Sequence, residues 1–210
     1  MSASSKRLTA RKQPIQARST HTVEAIFEAC IQVLLAVGPE RLTTTRVAER
    51  AGVSVGTLYQ YYGDKQSLLA AVLERHLLQV VEAVEGAAQQ NKGAPLEQTV
   101  TALVNAFVDA KFTRPDISKA LYSVAAELDG HDIVAKLTQR SQLAICELLV
   151  AAQDVHFNDA ITMSFVIATA LIGPVQTMLA LDAPQPFQGL VKNHLIILVT
   201  SYLKTISNKV

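Results

Sequence analysis

Between Thr43 and Lys65 the chain reads TTTRVAERAGVSVGTLYQYYGDK, rich in hydroxyls, with one carboxamide at Gln60 and cations at Arg46, Arg50 and Lys65. Such groups hydrogen-bond to oxygen acceptors and to the edges of planar bases; they do not break covalent bonds. Nowhere in the chain do paired carboxylates stand with a histidine, does a glycine-rich phosphate loop precede a helix, or do ligand residues recur at metal spacing. Glu127, Asp129, His131 and Asp132 fall together at a helix boundary, where exposed acids are far commoner than a metal site. The expectation is a binding protein and not an enzyme, with no cofactor and no metal.

The elements that must position those side chains follow from the same stretch. Thr43 caps a helix expected at 44–51, whose inner face is Val47, Ala48 and Ala51; the small Ala48 lets a second helix approach closely at a steep angle. Gly52 stands where a helix ends in a left-handed residue, a conformation glycine adopts without steric cost. Val53 plugs the corner, Ser54 caps a second helix at 55–61, and Leu58 faces inward against Val47 and Ala48. That leaves Val55, Gly56, Thr57, Tyr59, Gln60 and Tyr61 mostly on outer faces of a helix-turn-helix. An interaction pair whose tyrosines merely pack would not require Gly52, Ser54, the exposed tyrosines and a basic tail together. Arg46 reads equally as a phosphate contact and as a solvated surface charge.

Around this motif the helical period dominates. Val23, Ile26, Phe27, Cys30, Leu34 and Val37 form one stripe, stopped by Gly38 and Pro39. Asp64 is a good N-cap for a long fourth helix with the stripe Leu69, Val72, Leu73, His76, Leu77, Val80 and Val84, ending near Gln90. Further helices are expected at about 95–112, 116–127, 131–154, 158–181 and 187–207. No segment alternates with a two-residue period, so the class is all-α with about nine helices. The expected organisation is a basic disordered tail at 1–19, a three-helix DNA-binding domain at 20–63, and a larger helical ligand-binding and dimerisation domain at 64–210.

Half of the 210 residues are apolar and 18% are charged, below the roughly 25% usual for globular domains, so a cavity or a subunit interface should hide extra surface. The net charge of +1 conceals an asymmetry: the first twenty residues carry Lys6, Arg7, Arg11, Lys12, Arg18 and no acid, leaving −4 on the rest. That tail either solubilises the terminus or follows a DNA backbone. Cys30 and Cys146 are isolated thiols in apolar patterns, which suits a reduced, cytoplasmic location, and the N-terminus lacks the apolar core of a secretory signal. Ala160–Leu181 is free of charge and long enough for a membrane span, but it is flanked by Asp159 and Asp182, carries Thr, Ser and Gln throughout, and has no aromatic belt. A helix apolar all round must be covered all round, so one face is expected against its own domain and the other against a second subunit, with the last helix alongside. Phe165, Ile172, Val175, Leu179, Leu195, Leu198 and Val199 are the expected dimer contacts, and the membrane is not expected as a partner.

The stretch from the first helix into the fourth resembles the DNA-binding signature of the tetracycline-repressor (TetR) family: Thr-Thr, Ala, Ala-Gly-Val-Ser, Gly-Thr-Leu-Tyr, an aromatic pair and Lys. The resemblance implies DNA contacts at Thr44, Thr45, Ser54, Val55, Gly56, Thr57, Tyr59, Gln60, Tyr61 and Lys65. Of these, Thr44, Ser54, Tyr59, Tyr61 and Lys65 suit phosphates, and Thr45, Val55, Gly56, Thr57 and Gln60 suit base edges. Tyr62 stands where the family usually has Phe, and Val55 where polar or basic residues are common. The resemblance further implies a homodimer on a palindromic double-stranded operator. It also implies a repressor released by a small lipophilic effector held by helices five to eight, with helix four carrying the change to the DNA domain. Candidate lining residues are His76, Phe107, Phe112, Tyr122, Cys146, Met163 and Phe165, each of which reads more readily as plain core.

Overall fold

Several helix ends in this chain are set by capping side chains and, after α2, by Gly52, whose φ is positive. The computed structural model describes residues 17–128 and 130–209; Lys6, Arg7, Arg11, Lys12 and Asp129 lie outside them. Nine helices run through the described residues: α1 Ala17–Arg41, α2 Thr44–Ala51, α3 Val55–Tyr61, α4 Lys65–Gln90, α5 Leu96–Phe112, α6 Pro115–Glu127, α7 His131–Val150, α8 Ala160–Ala180 and α9 Gln185–Ile206. The class is all-α. Its one departure is a two-residue antiparallel pairing of β1, Val155–His156, with β2, Asn208–Lys209. Helix α1 begins at Ala17, inside the segment expected to be tail, and its stripe of Ile26, Ala29, Cys30 and Leu34 is buried. Within it Gly38 takes φ 76° and ψ 168°, a region essentially closed to side-chain-bearing residues, so the helix breaks where Gly38 and Pro39 were expected to stop it.

By contact the chain forms two compact units. The first holds the residues up to His76 together with Ala120–Ile133, and the second holds Leu77–Lys119 and the residues from Val134 onward. This division differs from the boundary at residue 63 read from the sequence. The reason is that α1 and two short helices supply little apolar surface of their own, and the first half of α4 adds the buried Leu68, Leu69, Val72 and Leu73.

In the second unit, α5 buries Leu96, Val100, Leu103, Val104 and Val108, α8 buries Ile167, Leu171, Val175, Met178 and Leu179, and α9 buries Leu195, Val199 and Leu203. Pro95 has no side chain with which to cap α5; the carboxylate of Asp154, 58 residues away, accepts from Leu96 N–H at 3.0 Å instead. Asp154 is released for this because α7 ends at Val150, four residues before the expected end at 154. Asp159 caps α8 by accepting from Thr162 N–H at 3.0 Å, and hydrogen bonding from the Thr162 side chain together with that N–H holds its carboxyl below the usual range.

Candidate nucleic-acid interface

The corner between α2 and α3 is built from backbone hydrogen bonds. Gly52, at φ 68°, donates to Glu49 O at 3.2 Å and Val53 donates to Ala48 O at 3.0 Å, the paired bonds of a Schellman C-cap. Thr43 Oγ1 accepts from Arg46 N–H at 3.3 Å at the start of α2, and Ser54 Oγ accepts from Thr57 N–H at 2.9 Å at the start of α3. At the head of α4 the bonds are reciprocal. Asp64 Oδ1 accepts from Ser67 N–H at 2.8 Å and Ser67 Oγ accepts from Asp64 N–H at 3.1 Å, a capping box with the Asp and Ser roles this sequence provides. Val47, Ala48 and Leu58 are fully buried, so the two helices are locked by their small core as well as by their caps.

With Leu58 inside, Thr45, Arg46, Ser54, Gly56, Tyr59 and Gln60 are exposed, and Val55, Thr57, Tyr61 and Lys65 are half-buried. Thr44 is the exception among the candidate contacts: it is buried, and its Oγ1 lies 3.1 Å from the Tyr59 hydroxyl. A matching pair joins Ser54 Oγ and Thr57 Oγ1 at 2.8 Å. In each pair one hydroxyl hydrogen is spent between the two oxygens, so the accepting member keeps its own hydrogen for another acceptor. Thr44 thus reaches the surface only through Tyr59, which is 43% exposed.

Gly56 gives a separate indication. A Cβ there would meet only Ser54 Oγ, at 3.7 Å, an ordinary contact. Neither packing within the chain nor a positive φ calls for glycine at this position.

Around the motif, Arg46 Nη1 donates to Arg41 O at 3.0 Å and Arg50 Nε donates to Gln32 Oε1 at 2.6 Å. Arg75 on α4 donates to Glu24 Oε2 at 2.6 Å while its guanidinium carbon lies 4.7 Å from the centre of the Phe27 ring, and Phe27 meets Tyr62 edge-on at 6.0 Å. Tyr62 is buried where a Phe was the norm expected, and burial pushes its hydroxyl up to about 12. This α1–α4 cluster was not singled out in the sequence, because Glu24 and Arg75 are 51 residues apart. The long-range pair of Lys65 with Glu127 was missed for the same reason.

The candidate effector residues divide between the two units. Phe107, Phe112, Cys146 and Met163 belong to the second unit, and His76 and Tyr122 to the first. Phe165, 55% exposed, points out of α8 while Met163 is buried, so the two cannot line one side of that helix. Two cavities of the second unit have other linings: a polar groove beside Glu85, Lys92, Arg140 and Glu147, and an apolar one between Pro174, Phe187, Leu190, His194 and Leu198. Among the expected dimer contacts, Val175, Leu179, Leu195 and Val199 are at most 5% exposed and belong to the chain's own core, which corrects their assignment to an outer face. Ile172 is half-buried, and Phe165 and Leu198 point outward, joined by Ile161, Phe187, Leu190 and Ile197.

Two family profiles match the chain. Residues 26–72 match that of bacterial regulatory proteins of the tetR family, and residues 95–203, more than half of the chain, match the tetracyclin repressor-like C-terminal domain. The chain therefore belongs to the TetR family. It is 43% identical over 54 residues to the class C tetracycline repressor protein of Escherichia coli, covering 26% of this chain and 25% of that one. It is 29% identical over 109 residues to the HTH-type transcriptional regulator BetI 1 of Chromohalobacter salexigens, covering 52% of this chain and 48% of that protein. A nucleoid occlusion factor, SlmA of Actinobacillus pleuropneumoniae, is 24% identical over 134 residues, or 60% of this chain and 64% of that one. The matched stretches thus span from about a quarter to under two thirds of these relatives. In fold, the chain matches a TetR-family regulator structure from Mesorhizobium loti with a TM-score of 0.76 at 15% identity, covering 92% of this chain and 100% of that one.

Proposed function

We propose that the protein is a sequence-specific, DNA-binding transcriptional repressor that acts as a homodimer on a palindromic operator and is released by a small lipophilic effector. The observation that carries this reading is the outward face of α3: Tyr59 and Gln60 exposed beside a glycine that the chain's own packing does not need. In this reading Gln60 and Thr57 meet base edges, and Tyr59, Tyr61, Ser54 and Lys65 meet phosphates, with α3 lying in the major groove. Thr45, Arg46 and Val55 complete the contact, Val55 through a thymine methyl.

Pairing is supported by the outward apolar residues of α8 and α9. Burying Phe165, Leu190, Ile197 or Leu198 contributes about 1.5–3 kcal/mol each. The second unit is the proposed seat of the effector, with Phe107, Phe112, Cys146 and Met163 as candidates there. The reading assigns no reaction to the chain, needs no membrane, and places the protein in the cytoplasm with the DNA.

The test is a gel-shift titration of the gene's own upstream region against mixed-sequence duplex at physiological salt. The repressor reading expects a preference of about 10³-fold or more for a specific site, reversed by at least one compound of a lipophilic panel. The likeness to a nucleoid occlusion factor favours a second reading, a nonspecific, nucleoid-like DNA binder. Equal affinity for the upstream region and for mixed-sequence duplex decides for it.

A further inference from the structure

Lys65, the first residue of α4, places its Nζ 3.5 Å from Oε1 of Glu127, the last residue of α6, and both side chains are only partly exposed, 30% and 38%. The backbone that carries Glu127 is anchored beside α4. Just past Glu127, Gly130 N–H donates to Ala125 O at 3.1 Å, and a Cβ at buried Gly130 would come within 3.4 Å of Leu73 on α4, so the end of α6 is seated on α4 within the first unit. A DNA phosphate approaching the head of α4 needs the same ammonium. Either Lys65 leaves Glu127 for the phosphate, or it stays and leaves a carboxylate beside the phosphate; both choices weaken the complex.

We propose that Glu127 is a positioning residue that limits DNA affinity, holding Lys65 in the free protein and competing with the DNA backbone for it. This rests on the reading of Lys65 as a phosphate contact. The competition is independent of base sequence, because phosphates carry no sequence information. It also blunts the salt dependence: the counter-ion that Lys65 releases from DNA is partly offset by the charge uncovered on Glu127.

The experiment uses full-length protein, a mixed-sequence DNA duplex at low salt, and the variants Glu127→Gln, Lys65→Met and their double mutant, with thermal melts to confirm folding. Glu127→Gln is expected to tighten binding about two- to five-fold, the size of a partly exposed ion pair, and to steepen the log–log salt slope by less than about 0.9. In the Lys65→Met background the same substitution is expected to gain less than half as much. An equal gain in both backgrounds reduces Glu127 to a general repulsive charge and overturns the proposal. So does an unchanged affinity in Glu127→Gln where Lys65→Met weakens binding. If Lys65→Met itself alters neither affinity nor slope, it is the phosphate reading of Lys65 that fails, and the proposal falls with it.

Discussion

The unit that carries α2 and α3 and the unit that carries α8 and α9 both bury aliphatic side chains, yet they specify position by different means. In the first, single residues have single jobs: Gly52 turns the corner, Thr43, Ser54 and Asp64 cap, and Leu58 alone of α3 faces inward. In the second, α8 is apolar on every side and its faces are distinguished only by what happens to pack on them: Val175 is fully buried, and Ile161 is 76% exposed. A unit of the first kind displays a fixed chemical surface. One of the second kind offers apolar area that a second chain or a ligand can cover, without naming which.

The largest effect that sharpens this contrast is expected from Leu58→Ala. It removes the only inward side chain of α3 and should lower the unfolding free energy by about 2–5 kcal/mol in denaturant titration. A loss under about 1 kcal/mol would mean that the small core does not fix the motif. Phe165→Ser with Leu198→Ser, both on outward faces, should leave the chain folded but shift sedimentation equilibrium toward monomer, by on the order of 2 kcal/mol per side chain. Gln60→Ala should cost about 1–3 kcal/mol of affinity for the selected site and relax its sequence preference, with the melting temperature unmoved.

Gly56→Ala separates stability from display more finely. The added methyl meets no strain inside the chain and raises helix propensity, so stability should increase by about 0.5 kcal/mol while operator affinity falls. Unchanged affinity would remove the argument for close approach there.

The second unit supplies an effect of pH. Burial pulls the Lys111 ammonium down to about 8 from 10.5, so between those values the unfolded chain holds a proton that the folded chain has lost, and stability rises with pH. Lys111→Met should flatten the rise measured between about pH 8 and 9. That window lies below the range where the buried Cys30 thiol, pushed up from 9.0 to about 12, makes stability fall instead.

What was legible in the sequence divides along the same line. Helices α2 and α3 begin and end where expected because every signal that bounds them lies within five residues of its effect. The Schellman bonds at Gly52 and the cap at Ser54 are local chemistry, and so is the outward face of α3. The missed features are long-range: Asp154 capping α5, Arg75 clamped between Glu24 and Phe27, and Glu127 on Lys65. No spacing rule links residues 51 to 62 positions apart. The apolar helices failed differently. A stripe that runs all round α8 shows that two faces are covered but not which, so Val175 and Leu179 were assigned outward beside Phe165 although only Phe165 is.

The most direct measurement is selection of binding sites from a random duplex library, followed by footprinting of the enriched sequence. The account expects one palindromic site, with half-site centres about 34–36 Å or a multiple of that apart on one DNA face, and a relaxed preference at the contacted bases on Gln60→Ala. A library that shows no enrichment, or an enriched site without symmetry that is bound by one chain, would contradict it.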